Sequence, residues 1–587
     1  MSSLPNNLVP AAITRDFDPV AVEVFSNRLL SIIESMASNM MRASFSPQIK
    51  ERRDFSVGMF DARGRLVAQG SHIPVHLGSL MGSVEAVLAR YSAADISDGD
   101  VYICNDPYAA GGTHLPDISI ITPIFLEERL VAFAANIGHH SDVGGATPGS
   151  ISASARSIYE EGLRIPVMRV ARAHRVDDDL IEMVALNSRL PEERGLDIRV
   201  QIATNEKGGV ATRQLIDRMG GATVFQEAIE DVLAYTSRRI QHRIASLAPG
   251  SHSFTTWLDD DGSVDGPRVP ITATVFKEGN TLVIDLAGTG PQSLGALNVA
   301  ESALRATVYY CVKANLDPEL MANSGLAEAI VIRAPEGSIV NPTSPAACGA
   351  RTITCQRLAG AVFGAFRGLV TRDQLIASGS DTLPSVSFSG RRPGNGSPYL
   401  CLEAMGGGGG AKASMDGMDG IHVHITNSLN LPTEVMEIEF PLHVEQYGLA
   451  VDSGGAGYHR GGLGIVRQVR ALQDDTVLSV RSDSHIQGAA GAEGGGEGGL
   501  GRLVRNPGSE AAEVLPSKVA RLVLAKGETI RIETPGGAGF GDPLTRPIHV
   551  LADDLRDGLL SESAAQRSYG ADRTAQALEL ARKTKRP

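Results

Sequence analysis

Apolar residues recur at helical spacing near the start of the chain. After Asp18-Pro19 they follow at intervals of three and four residues, which predicts a core helix capped by Asp18. A second helical pattern covers 210–247 and is interrupted at Gly220-Gly221, which predicts a pair of helices. The spacing Thr223-x-x-Gln226 predicts a capping box at the start of the second helix.

Strand patterns dominate elsewhere. The apolar run from Ile118 to Asn136 is divided by Glu127-Glu128-Arg129, which predicts two buried strands joined by a turn. Alternating apolar residues over 271–275 and 282–286 flank a Lys-Glu-Gly-Asn turn and predict a second hairpin. From about residue 396 glycine dominates, in four clusters that predict tight turns or close approach of backbones.

Composition limits the class of protein. With 587 residues, of which 42% are hydrophobic, the chain can bury a large core. A net charge of -13 without a Lys/Arg cluster argues against a nucleic-acid partner. Five cysteines without a Cys-x-x-Cys pair favour a reduced, cytoplasmic protein. Met1–Thr14 lacks the pattern of a signal peptide, and no 18-residue apolar run predicts a membrane span.

Histidines and carboxylates are concentrated in residues 104–145. His114 and Asp117 lie three residues apart, on either side of Leu115-Pro116, and His139-His140 follow the predicted hairpin. Since a hairpin returns the chain to its starting point, we expect His114, Asp117 and His139 to meet. Imidazole and carboxylate together suit a divalent cation, and three protein ligands leave positions open, as in catalytic sites. Ordinary hydrogen bonding and turn formation are the alternative reading of the same residues.

Several long strings of this sequence closely resemble the hydantoinase B family, and the likeness spans nearly the whole chain. The family includes the B subunits of ATP-dependent hydantoinases, the C-terminal part of 5-oxoprolinase, and the corresponding subunits of acetone and acetophenone carboxylases. The strings that carry the resemblance are Ile49–Ser56, Pro74–Ser79, Asn105–Tyr108, Gly111–Asp117, Gly138–Gly145, Ser152–Gly162, Asp452–Gly457, Arg460–Gly462 and Thr534–Pro543.

The resemblance implies a metal-bearing subunit that works with a separate ATPase subunit of the hydantoinase A type. In the carboxylase relatives, the metal ligands fall in the segments that match His114-x-x-Asp117 and His139. The implied cofactors are therefore a divalent metal, Zn or Mn, and ATP bound by the partner. The implied assembly is a hetero-oligomer of the A2B2 kind.

Four further residues are candidates for catalysis. One of Glu51 and Asp54 could be a fourth ligand or a base. An exposed ion-pair cluster with the neighbouring Lys and Arg residues explains the same pattern equally well. His140 and Asp142 adjoin a proposed ligand, which suits ligand orientation or proton transfer. His76 lies in an apolar setting that is typical of a core histidine, and the resemblance makes a position at the site the alternative.

The glycine clusters do not match a nucleotide-binding loop. Gly410-Ala-Lys412 is followed by Ala413 where a phosphate loop requires Ser or Thr, and Gly455-Ala-Gly457 lacks the third glycine of a dinucleotide fingerprint. No cofactor-binding residues are therefore assigned in this chain.

The sequence thus predicts a mixed α+β protein of several lobes. The predicted regions are an N-terminal metal-bearing α/β region (1–247), a β-rich middle (248–395), a Gly-rich β region (396–545) and a helical tail (546–587) with an acidic helix over Leu551–Leu560.

Taken with the resemblance, these regions suggest the B subunit of an ATP-dependent cyclic amidohydrolase that opens a hydantoin, such as an N-methylhydantoin, or a lactam such as oxoproline. A carboxylase subunit and a non-catalytic scaffold for the ATPase are the alternatives.

Overall fold

The computed structural model describes residues 18–152, 154–263 and 266–583. Met1–Thr14, in which the sequence predicts no signal peptide, lies outside the described residues. The contacts divide the chain into two compact units. The first contains the described parts of Met1–Ser251, Ala273–Arg351 and Asn427–Leu429, and the second contains those of His252–Thr272, Thr352–Thr426 and Asn430–Pro587. The four sequence regions stay a prediction.

An antiparallel sheet of seven strands forms the centre of the first unit, in the order β2-β1-β5-β4-β3-β6-β7. Its strands are β1 Phe55–Asp61, β2 Leu66–Gln69, β3 Val101–Cys104, β4 Asp117–Leu126, β5 Arg129–His139, β6 Met168–Arg172 and β7 Arg175–Val176. The predicted hairpin is confirmed as β4 and β5, and Glu127 adopts a positive φ of 55° in the turn between them.

The first unit also contains helices, several of which pack against this sheet. They are α1 Pro19–Ala43, α2 Pro47–Lys50, α3 His76–Arg90, α4 Asp178–Leu186, α5 Pro191–Met219, α6 Ala222–Ala245, α7 Glu301–Leu316 and α8 Ser324–Ala327. The predicted first helix is confirmed as α1, because the Asp18 side chain accepts a hydrogen bond from the Val20 amide and the periodic apolar residues are buried. Its buried face joins β1, β2 and α6 in one apolar core.

The predicted helical pair is confirmed, but two of its details are wrong. Helix α5 begins at Pro191, well before residue 210, since a proline in the first turn and two following glutamates start the helix there. The second helix has no capping box at Thr223. Gly220 and Gly221, with φ of 95° and 114°, reverse the chain so tightly that α6 begins at Ala222, and no side chain caps it.

The second predicted hairpin is also confirmed. Following β8 Ser251–Leu258, strands β9 Val269–Glu278 and β10 Thr281–Asp285 pair in antiparallel register around Gly279. Strand β11 Ile330–Arg333 then adds in parallel beside β10.

Two antiparallel sheets occupy the second unit, in the orders β13-β12-β16-β19 and β14-β15-β20-β17-β18. Their strands are β12 Ser385–Arg391, β13 Pro398–Ala404, β14 Leu442–Leu449, β15 Ile465–Ala471, β16 Thr476–Arg481, β17 Arg502–Arg505, β18 Glu513–Leu515, β19 Lys518–Leu524 and β20 Thr529–Glu533. Apolar residues of both sheets share one core.

The remaining helices are α9 Arg351–Phe366, α10 Thr433–Glu439, α11 Ile548–Arg556, α12 Glu562–Tyr569 and α13 Ala571–Lys583. The tail prediction of one acidic helix is therefore incomplete. Glycines with positive φ at Gly558 and Gly570 separate three short helices there, and these three pack on one another. With these helices and sheets, the chain is a mixed helix and sheet protein, as predicted. Within the described residues, no helix is both long enough and apolar enough to cross a bilayer.

Glycine segments of the second unit lie directly against each other's backbones. The Gly462 amide donates to the Gly409 carbonyl, and the Gly537 amide donates to the Gly462 carbonyl. A Cβ atom at Gly408 would lie 1.9 Å from the Gly462 oxygen, and one at Gly536 would lie 1.7 Å from a neighbouring carbonyl. Only glycine permits such spacing, so the predicted close approach of backbones is confirmed.

Candidate metal centre

The hairpin of β4 and β5 places two of the candidate ligands opposite each other. Asp117 is the first residue of β4, His139 is the last residue of β5, and the two are direct partners in the antiparallel register. His114 approaches from the preceding loop, where its carbonyl accepts the Asp117 amide at 3.2 Å. One ligand atom from each of the three residues lies within 4.8 Å of the others, so the group could hold a metal ion.

Polar atoms of this group are buried without hydrogen-bond partners. They are Nε2 of His114, Oδ1 of Asp117 and Nδ1 of His139. His114 Nε2 and Asp117 Oδ1 are 3.3 Å apart, and the His114 and His139 rings have centroids 5.1 Å apart. Buried polar atoms are rarely left unsatisfied, and each such atom requires an explanation. A cation bound by imidazole nitrogens and a carboxylate oxygen would satisfy this donor set, so the residues fit a divalent metal.

The opposite side of two of these ligand candidates, His114 and Asp117, is already engaged. His114 Nδ1 lies 3.1 Å from the Gly349 carbonyl and donates to it, which leaves Nε2 with a free lone pair. Asp117 Oδ2 accepts from Thr113 Oγ1 and from an Arg351 nitrogen, each at 2.6 Å, which leaves Oδ1 for a ligand. Outer partners of this kind orient the ligands of metal sites.

Arg351 carries no local signal in the sequence. It lies 234 residues from Asp117, and it is 3% exposed beside a carboxylate that is fully buried. Burial by itself raises the pKa of Asp117, but His114, Arg351 and His76 outweigh burial, and the pKa is held well below the usual value. Asp117 therefore stays ionised at neutral pH.

Both histidines of the group are neutral. Burial lowers the pKa of His114 to about 4, and burial holds the pKa of His139 well below the usual value. A neutral imidazole offers a lone pair to a metal, whereas a protonated one does not. The electrostatics therefore suit metal binding at neutral pH.

Asp54 and His76 border the three ligand candidates. His76 Nε2 lies 3.6 Å from Asp117 Oδ1 and 3.9 Å from Asp54 Oδ1, while His76 Nδ1 is hydrogen-bonded to Ser56 Oγ at 3.1 Å. The Asp54 side chain is 16% exposed, and burial raises its pKa. The structure thus brings His76 to the site and places Asp54 at its edge.

The structure does not bring the other three candidates into this group. His140 follows His139 in the chain, and its Nε2 lies 2.9 Å from Gln201 Oε1. The Asp142 carboxylate accepts hydrogen bonds from the backbone amides of Gly144, Gly149 and Arg189 and from the Arg189 side chain. Glu51 is 32% exposed and lies 4.0 Å from Lys50. The catalytic assignments of His140, Asp142 and Glu51 stay predictions.

Comparison with known proteins places the chain in a family. The family model described as hydantoinase B/oxoprolinase matches residues 18–543. The chain is 32% identical to 5-oxoprolinase 1 of Arabidopsis thaliana over 89% of its own length, but it spans only 42% of that longer protein. It is 30% identical to a Pseudomonas protein whose name describes it as the B subunit of a D-/L-hydantoinase, over 95% of both chains.

Solved structures share the fold. The ATP-dependent caprolactamase of Pseudomonas jessenii superposes with a TM-score of 0.87 at 26% identity, over 95% of this chain and 96% of that one. Acetone carboxylase superposes with a TM-score of 0.86 at 19% identity, over 97% of this chain and 84% of that one. On the match of the family model over most of its length, this chain belongs to the hydantoinase B/oxoprolinase family.

Proposed function

We propose that this chain is the metal-bearing B subunit of an ATP-dependent cyclic amidohydrolase of the hydantoinase or oxoprolinase type. The observation that carries the proposal is the convergence of three buried, unsatisfied ligand atoms at the end of one hairpin. The similarity to one subunit of a hydantoinase and to an ATP-dependent caprolactamase supports hydrolysis of a cyclic amide.

His114, Asp117 and His139 would hold the metal, Zn or Mn. A divalent metal supplies a Lewis acid that polarises a carbonyl and acidifies water near neutral pH. The residues around the metal would orient its ligands. Arg351 and Thr113 hold Asp117 by one oxygen, and the Gly349 carbonyl fixes the tautomer of His114.

Proton transfer is assigned first to Asp54. Its raised pKa and its position 3.9 Å from His76 Nε2 suit a group that gives and takes a proton beside the metal. His76 would orient the Asp54 and Asp117 carboxylates relative to each other, since its Nε2 approaches both. His140 and Asp142 are weaker candidates because Gln201 engages His140 Nε2 and Arg189 engages the Asp142 carboxylate.

ATP would enter through a partner of the A type. An amide is hydrolysed slowly because its carbonyl is stabilised by resonance. Phosphorylation of the lactam or imide oxygen in the partner would break that resonance, and this chain would complete ring opening. The proposed assembly is a cytoplasmic hetero-oligomer of the A2B2 kind. The hydantoinase relative is named as one subunit of its enzyme, which supports a partner for this chain as well.

The test is co-expression with an A-type ATPase subunit, followed by assays with hydantoins, 5-oxoproline and caprolactam that measure both ADP and the ring-opened product. His114→Ala and His139→Ala should reduce bound metal, measured by elemental analysis, to background and abolish product. Full metal content in both variants would refute the metal site. A requirement for bicarbonate with a ketone substrate would instead indicate a carboxylase, and unchanged product formation in the metal-free variants would indicate a scaffold.

A further inference from the structure

Glu161 is a buried carboxyl group that the proposed chemistry does not use. Its side chain follows the helical turn Ile158–Glu160, and the residue is 2% exposed. Oε1 accepts the Gly349 amide at 2.6 Å, and Oε2 accepts the Cys348 amide at 3.1 Å. A carboxylate that accepts two consecutive backbone amides makes strong, charge-assisted bonds and fixes the path of that backbone.

The backbone that Glu161 holds is the outer support of the metal centre. The Gly349 carbonyl receives the Nδ1 proton of His114. Two residues later, Arg351 donates to Asp117. One short segment, 348–351, therefore supplies an outer contact to each of these two ligand candidates.

Other contacts hold the chain just before this segment. The Ile158 amide donates to the Pro345 carbonyl, Tyr108 donates to Ala346, and Asn298 donates to Ala347. Within the segment, the Cys348 and Gly349 amides both donate to the Glu161 carboxylate, and the Ala350 amide donates to the Ala296 carbonyl. The fit is close, since a Cβ atom at Gly349 would lie 2.8 Å from Glu161 Oε1.

We propose that Glu161 is a positioning residue of the metal centre. Through the Cys348 and Gly349 amides, it fixes the Gly349 carbonyl and hence the tautomer and the orientation of His114. This inference rests on the proposed metal-binding function of His114, Asp117 and His139.

The charge of Glu161 should matter as well as its shape. An ionised carboxylate accepts at both oxygens, whereas a protonated one has an O–H group on one side. Burial raises the pKa of Glu161 to about 7, although the two amides and Arg351 oppose the effect, and Glu160 adds to it. The Tyr108 hydroxyl also lies close enough to interact with the charge of Glu161. The support of His114 should therefore weaken as the pH falls through about 7.

The experiment measures Zn²⁺ affinity of the metal-free full chain by competition with a chromophoric chelator, below and above pH 7. Glu161→Gln should weaken binding about tenfold above pH 7, the lower end of the range for outer-shell changes, because an amide accepts at one oxygen only. Below pH 7 the variant should match the natural chain. Glu160→Gln, which makes the same charge change at an exposed neighbour, should bind like the natural chain at both pH values.

Two further measurements separate positioning from a general structural role. The melting temperature of metal-free Glu161→Gln above pH 7 should fall only slightly, because the cost of the buried amide that loses its acceptor is offset in part by removal of an ionised group that burial disfavours. A variant that melts lower and shows no pH-dependent difference in affinity would indicate a structural role only. Gly349→Ala should also weaken Zn²⁺ binding, because its methyl group displaces the carboxylate while the charge remains.

His114→Ala distinguishes failure of this proposal from failure of the metal site. If His114→Ala binds Zn²⁺ like the natural chain, the metal site itself is refuted. If His114→Ala loses Zn²⁺ while Glu161→Gln and Gly349→Ala bind it normally at both pH values, the positioning role alone is overturned.

Discussion

Replacement of Arg351 by methionine should destabilise the metal-free protein strongly, because Asp117 would remain as a buried charge. The two side chains are 3% and 0% exposed, with 2.6 Å between nitrogen and oxygen. Two unit charges about 4 Å apart interact by about 4 kcal/mol at an effective dielectric constant of about 20. Removal of one partner of a buried ion pair typically costs about 3–5 kcal/mol. We therefore expect a loss of that size in the free energy of unfolding of the first unit.

A metal should restore part of this loss. A divalent cation at His114 and His139 would supply positive charge to the same carboxylate, so Zn²⁺ should raise the melting temperature of Arg351→Met more than that of the natural chain. The loss should also shrink at low pH, where the carboxyl without its guanidinium takes up a proton.

Differential scanning calorimetry with chelator and with Zn²⁺ measures both effects. Arg333→Met is the matched control, since Arg333 is 48% exposed and its pair with Glu278 should contribute at most about 1 kcal/mol. If the melting temperature of Arg351→Met in chelator falls no further than that of Arg333→Met, the buried ion pair does not stabilise the site. If Zn²⁺ stabilises the variant and the natural chain equally, the metal does not bind at Asp117.

Three other predictions concern chemistry and pH. In the complex with the ATPase, Asp117→Asn should stop product formation while some substrate-dependent ADP release remains. An equal ratio of ring-opened product to ADP in the variant and natural complexes would contradict the role assigned to Asp117. The isolated chain should bind no ATP at micromolar concentration in calorimetry, because its glycine clusters lack a phosphate loop. The folded pKa of His114, about 4, lies below the ordinary value of 6.5, so stability that is present above pH 6.5 is lost as the pH falls toward 4. Glutamine does not titrate, so in His114→Gln the loss of unfolding free energy between pH 6.5 and 4 should be smaller than in the natural chain by up to about 3 kcal/mol. Melting curves over a series of pH values measure this difference.

The meeting of His114, Asp117 and His139 could be predicted from the sequence because their geometry is local. Two apolar strands and a charged turn dictate a hairpin, and the antiparallel register then places Asp117 opposite His139. The same logic predicted the first helix and the second hairpin. Helix α5 was predicted too short because its first turns carry many charged and small residues, so that the apolar periodicity is weak before residue 210.

The outer support of the site could not be predicted in this way. Gly349 lies 235 residues from His114, and Arg351 lies 234 residues from Asp117. No periodicity or turn signal relates residues at such separations, because only the packed fold brings them together. Adjacent histidines raise a similar difficulty, since His139 and His140 look equivalent in the sequence although their side chains contact different partners.

This division between local ligands and distant supports bears on how one site could serve different reactions. Hydrolysis of an activated amide and carboxylation of an enolate both need an electrophilic metal, for which a single hairpin and its preceding loop supply the ligand candidates. What distinguishes the reactions must then come from the groups around the metal, such as Asp54 and His76 at its edge and the segment that Glu161 holds. Substitutions in those outer groups should therefore change the rate and the coupling to ATP before they remove the metal, whereas substitutions in the hairpin ligands should remove the metal first.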